Sequence, residues 1–260
     1  TLPTPTRTGY TFAGWYDAAS GGNKVGNGGE TYTPTANRTL YAHWTINSYY
    51  IDLNLNVDGK SYSSGGYNNR VYVGLKIGDV DKGYLQDYYI MHSYGTKWEI
   101  YGLKLDGVTI PYSKTGTLGT ANAYISVNLN TLNIATNNSN YGSVSSNNVL
   151  AVKESTFSTS GTTLTLSDGR KVTASVKNAA GYTTKFTGWS IASGTINAAT
   201  SITANFSRTI NQYTLTVNPN GGTWNNTASN STFTQNYGTT KEIANPTAPA
   251  GYKITFNGNG

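Results

Sequence analysis

Apolar and polar residues alternate along this chain in short runs, and the runs break at Gly, Asn and Asp. Ile51-Asp52-Leu53-Asn54-Leu55-Asn56-Val57 carries its apolar residues at every second position, the period of a half-buried strand. Asp58-Gly59 then supplies a turn. Similar runs predict strands near residues 70–77, 97–105, 108–112 and 123–129. A turn is expected at 79–82, and a strand or short turn at 84–92. Asp106-Gly107, set between two alternating runs, is a strong hairpin signal. Residues 46 to 130 therefore read as an antiparallel β-sandwich-like domain. Strands continue at 132–136, 163–166 and 171–176, the last two joined by the turn residues Asp168-Gly169.

A second pattern is aromatic and occurs twice. Gly9-Tyr10-Thr11-Phe12-Ala13-Gly14-Trp15-Tyr16 is closed by Leu40-Tyr41-Ala42-His43-Trp44. Gly181-Tyr182-Thr183-Thr184-Lys185-Phe186-Thr187-Gly188-Trp189 is closed by Ile202-Thr203-Ala204-Asn205-Phe206. Each reads as a strand, a Gly-Trp bend, a polar excursion and a second strand. Tyr10 and Phe12 share a face by period-2 alternation, and glycine before the Trp permits a bend. The expected structural core of the repeats is Tyr10, Phe12, Trp15, Tyr41 and Trp44 in the first, with Phe186, Trp189 and Phe206 in the second. Trp15 and Trp44 are expected to be mostly buried.

The first unit resembles the Listeria–Bacteroides repeat, a β-grasp-like module of internalin-type bacterial surface proteins. The resemblance rests on Gly9 to Tyr16, Gly21-Gly22, and Tyr32-Thr33-Pro34-Thr35-Ala36-Asn37-Arg38-Thr39-Leu40-Tyr41-Ala42-His43-Trp44. A related bacterial surface repeat is suggested over about 140–206 by Gly142-Ser143-Val144, Phe186 to Trp189 and Ile202 to Phe206. Tyr213 to Gly222, with Tyr237-Gly238 further on, is similar to the opening half of another Listeria–Bacteroides unit. The fold class follows as mainly β: serial small β-rich modules, with β-grasp-like repeats flanking a β-sandwich-like domain. The domains are expected at 1–45 (closing half of a repeat), 46–130 (β-sandwich-like, family unassigned), 131–210 (surface repeat) and 211–260 (opening half of a further repeat). The resemblance implies a non-catalytic extracellular module of the bacterial cell surface or wall, serving as a stalk, spacer or adhesion element and carrying no catalytic residues. The unpaired strand edges of the two half-repeats raise the further expectation of fibre assembly. The alternative is a carbohydrate-binding accessory region of a secreted enzyme. Expected partners are neighbouring modules of the same or another chain, and glycans or host surface proteins.

Composition narrows these classes. Charged residues make up 12% of the 260, while Tyr numbers 21 and Gly 30, which suits strands and tight turns rather than helical bundles. Cysteine is absent, so disulfides, thiol catalysis and thiolate metal sites are excluded. The net charge of +6 is scattered, without the basic block that a nucleic-acid binder concentrates on one face. No apolar run has membrane length, so no membrane insertion is expected. The two histidines, His43 and His92, fall in different modules and lack metal-ligand spacing. Asp79 and Asp81 read as turn decoration, short of the acidic spacing of a calcium loop. No metal and no cofactor are expected. The candidate ligand-binding surface is Tyr88, Tyr89, Tyr94 and Trp98, since Tyr offers amphipathic contact area at low entropic cost. The competing reading places these aromatics on alternate faces of a sheet.

Overall fold

The computed structural model describes residues 1–63, 71–86 and 90–253, and among them every regular element is a strand. The first module consists of β1 (Tyr10–Tyr16), β2 (Lys24–Gly26) and β3 (Tyr41–Ile46), in the sheet order β2-β1-β3. β1 and β3 are antiparallel with Phe12 opposite Trp44, and the register slips between Phe12 and Gly14. Gly14 has φ 130°, a conformation that a side chain would strain, so the slip falls where only glycine sits easily. Beyond this bulge Phe12 meets two indoles edge to face, with ring centroids 5.6 Å from Trp15 and 5.4 Å from Trp44.

The middle module runs through β4 (Ser48–Val57), β5 (Lys60–Ser63), β6 (Val71–Ile77), β7 (Val80–Gln86), β8 (Ile90–Ser93), β9 (Lys97–Leu105), β10 (Val108–Ile110), β11 (Lys114–Thr117) and the first part of β12 (Ala123–Thr136). One sheet has the order β10-β9-β6-β7, with β11 also on β9, and the other is built on β4, flanked by β5, β8 and β12. Leu53 and Leu55 of β4, Ile125 and Val127 of β12, and Leu75, Ile100 and Leu103 of the facing sheet fill one core. Two differences from the sequence reading stand out. The module is not wholly antiparallel, because β4 and β12 pair in parallel, Ile51 beside Ala123 through Val57 beside Leu129. The turn expected at 79–82 is tighter, confined to Gly78 and Asp79; Gly78 at φ 56° closes it, and Val80 already begins β7.

β12 carries the chain from the second core into the third. Its buried residues Ile125, Val127 and Leu129 fall at odd positions, whereas Leu132 and Ile134 fall at even ones. Successive side chains of a strand point to opposite faces. The parity change across Asn130-Thr131 therefore turns the apolar side of one strand from one core to the other. Asn130 itself is buried, and its Nδ2 donates to the Ile196 carbonyl at 3.3 Å.

The third module adds β13 (Gly142–Val144), β14 (Asn148–Val152), β15 (Thr156–Ser160), β16 (Thr163–Leu166), β17 (Lys171–Val176), β18 (Tyr182–Trp189), β19 (Ser193–Thr195) and β20 (Thr200–Ile210). One sheet has the order β13-β17-β16-β15-β19, and β18-β20 joins the β12 sheet. β18 and β20 repeat the pattern of β1 and β3: Phe186 stands opposite Phe206, and the register slips between Phe186 and Gly188, with φ 137° at Gly188. The far side of β20 is occupied by β12, in parallel, from Leu132 beside Thr200 to Thr136 beside Ala204. The last strands are β21 (Gln212–Val217) and β22 (Ser231–Asn236), an antiparallel pair.

The aromatic core of the repeats is buried unequally. Phe206 is 3% exposed, and its ring occupies the space a Cβ on Gly142 would need. Tyr10, Phe12, Phe186 and Trp189 are half-buried, and Tyr41 is exposed. Trp15 and Trp44, expected to be mostly buried, are also half-buried. The reason is the neighbour: β20 has β12 against its outer edge, while among the described residues β3 pairs with β1 alone. Replacing Phe206 with Ala should accordingly cost about 3–5 kcal/mol, the range for a packed aromatic, and Trp44→Ala should cost less. Hydrogen exchange of β20 and β3 in the two variants measures the difference, and equal losses would contradict this account.

Candidate functional site

The residues singled out for ligand binding are not gathered on one surface. Tyr88 and Tyr89 lie outside the described residues. Tyr94, directly after β8, leaves its own module and lays its ring over Gly9 of the first, 6.4 Å from the Tyr10 ring at an edge-on angle of 65°. Trp98 is 6% exposed and belongs to the middle core. Its six-membered ring lies where a Cβ on Gly116 would stand, directly across from it in the β9–β11 pair. Its Nε1 is buried without a hydrogen-bond partner among the described residues. Trp98 thus serves as core: Ile100, two residues on, faces the same interior, and the register slip opposite Gly74 and Leu75 brings Leu103 and Leu105 back to it.

A different face of the middle module is open to solvent. On β4 and β12 the residues between the buried ones point away from the core: Tyr50, Asp52, Asn54 and Asn56 on one strand, Tyr124, Ser126 and Asn128 on the other. Tyr124 is 68% exposed, and Met91, paired with Tyr50 across β8, is 67% exposed. The Tyr50 and Tyr124 rings meet edge to face at 6.1 Å, with their hydroxyls 3.1 Å apart. Hydrogen bonds from Tyr50 and Asn122 hold the Tyr124 hydroxyl below the ordinary tyrosine range. The Asn122 side chain also accepts from the Tyr50 amide at 3.1 Å. The result is a flat, largely uncharged surface with aromatic rings at one end and rows of amides and hydroxyls behind them. The signal was present in the sequence as the polar phase of the alternation, but only the parallel pairing puts Tyr50 and Tyr124 side by side.

The titratable groups are dispersed. His43 stacks flat on Tyr16, centroids 3.9 Å apart, and its Nε2 lies 2.8 Å from the Ala18 carbonyl. Burial, followed by the charge of Lys82, lowers the pKa of His92. Asp81 accepts from the Gly83 amide at 2.8 Å and the Tyr101 hydroxyl at 3.0 Å, which together lower its pKa. Among the described residues no three His, Asp or Glu side chains stand together as a metal site would require. A hollow of about 600 Å³ borders Pro219, Gly222, Pro249 and Tyr252, next to residues that are not described.

These features define serial β-modules whose chemistry lies in packing and surface contact. Residues 1–43 match the Listeria-Bacteroides repeat domain, so the first module is a repeat of the bacterial surface-protein kind. Over 96 residues the chain is 35% identical to internalin H of Listeria monocytogenes, a stretch covering 36% of this chain and 17% of that protein. Over 71 residues it is 38% identical to a protein of Evansella cellulosilytica named Putative Gly-rich membrane protein, covering 23% of this chain and 7% of that one. The chain thus spans less than a fifth of the length of either relative. No solved structure matches. Together the repeat and the internalin likeness support a Listeria-Bacteroides repeat surface protein.

The clearest electrostatic contact is in the third module, at the turn between β16 and β17. Burial works against ionisation of Asp168, but hydrogen bonds from Arg170 outweigh it: Nη2 donates at 2.7 Å, Nε at 2.9 Å and the backbone amide at 3.0 Å. The carboxyl pKa is therefore lowered on folding. A lowered pKa adds stability above the unfolded value, and that stability is lost as the pH falls through the folded value. Asp168→Asn should be less stable than the parent at neutral pH, and the gap should close in acid. Urea midpoints at the two pH values test this, and a gap that persists in acid would contradict it.

Proposed function

We propose that this chain is a non-catalytic spacer segment of an extracellular bacterial surface protein, holding contact surfaces away from the cell wall. The observation that carries this reading is how little chain separates the modules. Asn47 alone lies between β3 and β4, Asn211 alone lies between β20 and β21, and β12 runs unbroken from the second core into the third. Modules joined so closely act as one spacer rather than as beads on a flexible linker.

Assembly into fibres belongs to the same reading. Among the described residues β3 and β21 each pair on one edge, and β21 keeps Tyr213 at 56% and Leu215 at 39% exposure. The parallel seat of β12 on β20 supplies the geometry by which a strand of a neighbouring module, from the same or another chain, adds to β3. Small-angle scattering over a concentration series tests both parts. The expected radius of gyration lies well above the roughly 18 Å of a compact 260-residue body, and it grows with concentration where strands are exchanged between chains. A compact value at every concentration would refute the spacer reading, and an extended but concentration-independent value would refute fibre formation.

The Tyr50–Tyr124 face favours a second reading, a carbohydrate-binding accessory region. Exposed tyrosines stack on sugar rings, and the Asn and Ser rows offer the paired donors and acceptors that hydroxyls require. Binding to a glycan array that falls at least tenfold in Tyr124→Ala would support it. Absence of glycan binding by the parent chain would remove it.

A further inference from the structure

The geometry points to a repeated plug and socket that locks each aromatic repeat to the module following it. The socket is the start of the repeat's first strand, and the plug is the turn that follows the strand paired antiparallel with the start of the next module's first strand. Both boundaries use the same atoms. At the first, the Tyr10 amide donates to the Arg7 carbonyl at 3.0 Å, leaving Gly9 at φ 76°. At the second, the Tyr182 amide donates to Ala179 at 3.1 Å, leaving Gly181 at φ 73°. The glycine carbonyl then accepts from the linker residue's amide: Asn47 to Gly9 and Asn211 to Gly181, each at 2.8 Å. The Asn side chain reaches back into the repeat, where Thr11 and Thr183 each donate from Oγ1 to its Oδ1 at 2.6 Å.

The plug closes this arrangement from the other side. The amides of Tyr94 and Tyr237 donate to the carbonyls of Asn47 and Asn211, each at 2.9 Å. The Tyr94 ring then covers Gly9 and the Tyr237 ring covers Gly181, so closely that a Cβ on either glycine would overlap the ring. Each tyrosine opens a Tyr-Gly-Thr turn. In both turns the threonine donates to the carbonyl three residues back, on Ser93 or Asn236, from its amide at 3.1 Å and from Oγ1 at 2.7 Å.

The match does not follow from a shared fold of the following modules. One follower has two facing sheets, and the other shows, among its described residues, the strand pair of β21 and β22. What the followers share is an antiparallel strand pair whose first strand begins just after Asn and whose second runs out into Tyr-Gly-Thr. The chemistry selects those residues. The glycine must hold positive φ and leave its face bare for a ring. The linker needs a short side chain whose oxygen can accept from the repeat's threonine while its own amide and carbonyl bridge the two modules. Rotation about the boundary would break the bonds on both sides of the Asn and lift the ring from the glycine, so each boundary is fixed in orientation. The partner of the socket is a strand pair of this kind, whatever fold stands behind it. This coupling goes beyond the spacer reading and does not rest on it.

The chain has no cysteine, so spin labels can be placed in pairs on the full chain. Thr39→Cys with Val108→Cys spans the first boundary, and Ser158→Cys with Thr234→Cys spans the second; all four positions are exposed. Pulsed electron–electron resonance should give one narrow distance distribution for each pair. Tyr94→Ala should at least double the width at the first boundary and leave the second unchanged, and Tyr237→Ala should do the converse. Gly9→Ala should widen the first in the same way by displacing the ring, whereas Tyr94→Phe, which keeps the ring, should leave it narrow. A parent distribution as broad as that of Tyr94→Ala would overturn the lock, as would a narrow width that survives either Tyr94→Ala or Gly9→Ala.

Discussion

One constraint governs the middle of this molecule: β12 must serve two cores. A strand has two faces, and a chain that keeps strict alternation can bury only one of them against apolar neighbours. At Asn130-Thr131 the apolar positions change from odd to even, so the strand buries one face in the second module and the other in the third. Around it the partners follow. β4 takes one segment in parallel, β20 takes the later segment in parallel, and β14 lies antiparallel across the change of phase, from Leu129 to Asn133. Asn130 sits at the crossover with its amide bonded to Ile196, which satisfies a polar group that the second core could not accommodate.

The two aromatic repeats show the same local structure under different surroundings. Both strands bulge at the glycine before the Trp, and in both a phenylalanine meets that Trp and the aromatic residue across the strand pair at 5.4 to 5.7 Å. Yet Phe206 is sealed and Trp44 is not. Local sequence sets the bulge and the ring contacts, while a parallel strand against β20 sets the burial. In the first repeat, β3 has β1 as its one strand neighbour among the described residues, which leaves Trp44 half-buried.

Function in such a chain is distributed. The polar phase of β4 and β12 faces away from the middle core. The tyrosine and tryptophan first favoured for binding are used instead to join modules and to fill a core. Tyr94 was legible as an aromatic in a Tyr-rich stretch, but its role depended on Gly9, which lies far from it in sequence. Trp98 was legible as one phase of an alternating run, and the choice between core and surface required knowing which side of β9 the second sheet covers.

The sequence by itself determined the strand-rich class, the hairpin turns at Asp58-Gly59, Asp106-Gly107 and Asp168-Gly169, the bend before each repeat Trp and the recognisable first repeat. These are local properties, written in two-residue periodicity and in the few residues that tolerate positive φ. Only the tertiary structure decided the parallel pairing of β4 with β12 and of β12 with β20, the unequal burial of equivalent aromatics and the contact of Tyr94 with Gly9. Pairing partners distant in the chain are selected by the fit of whole faces and edges, and no single run of residues carries that information.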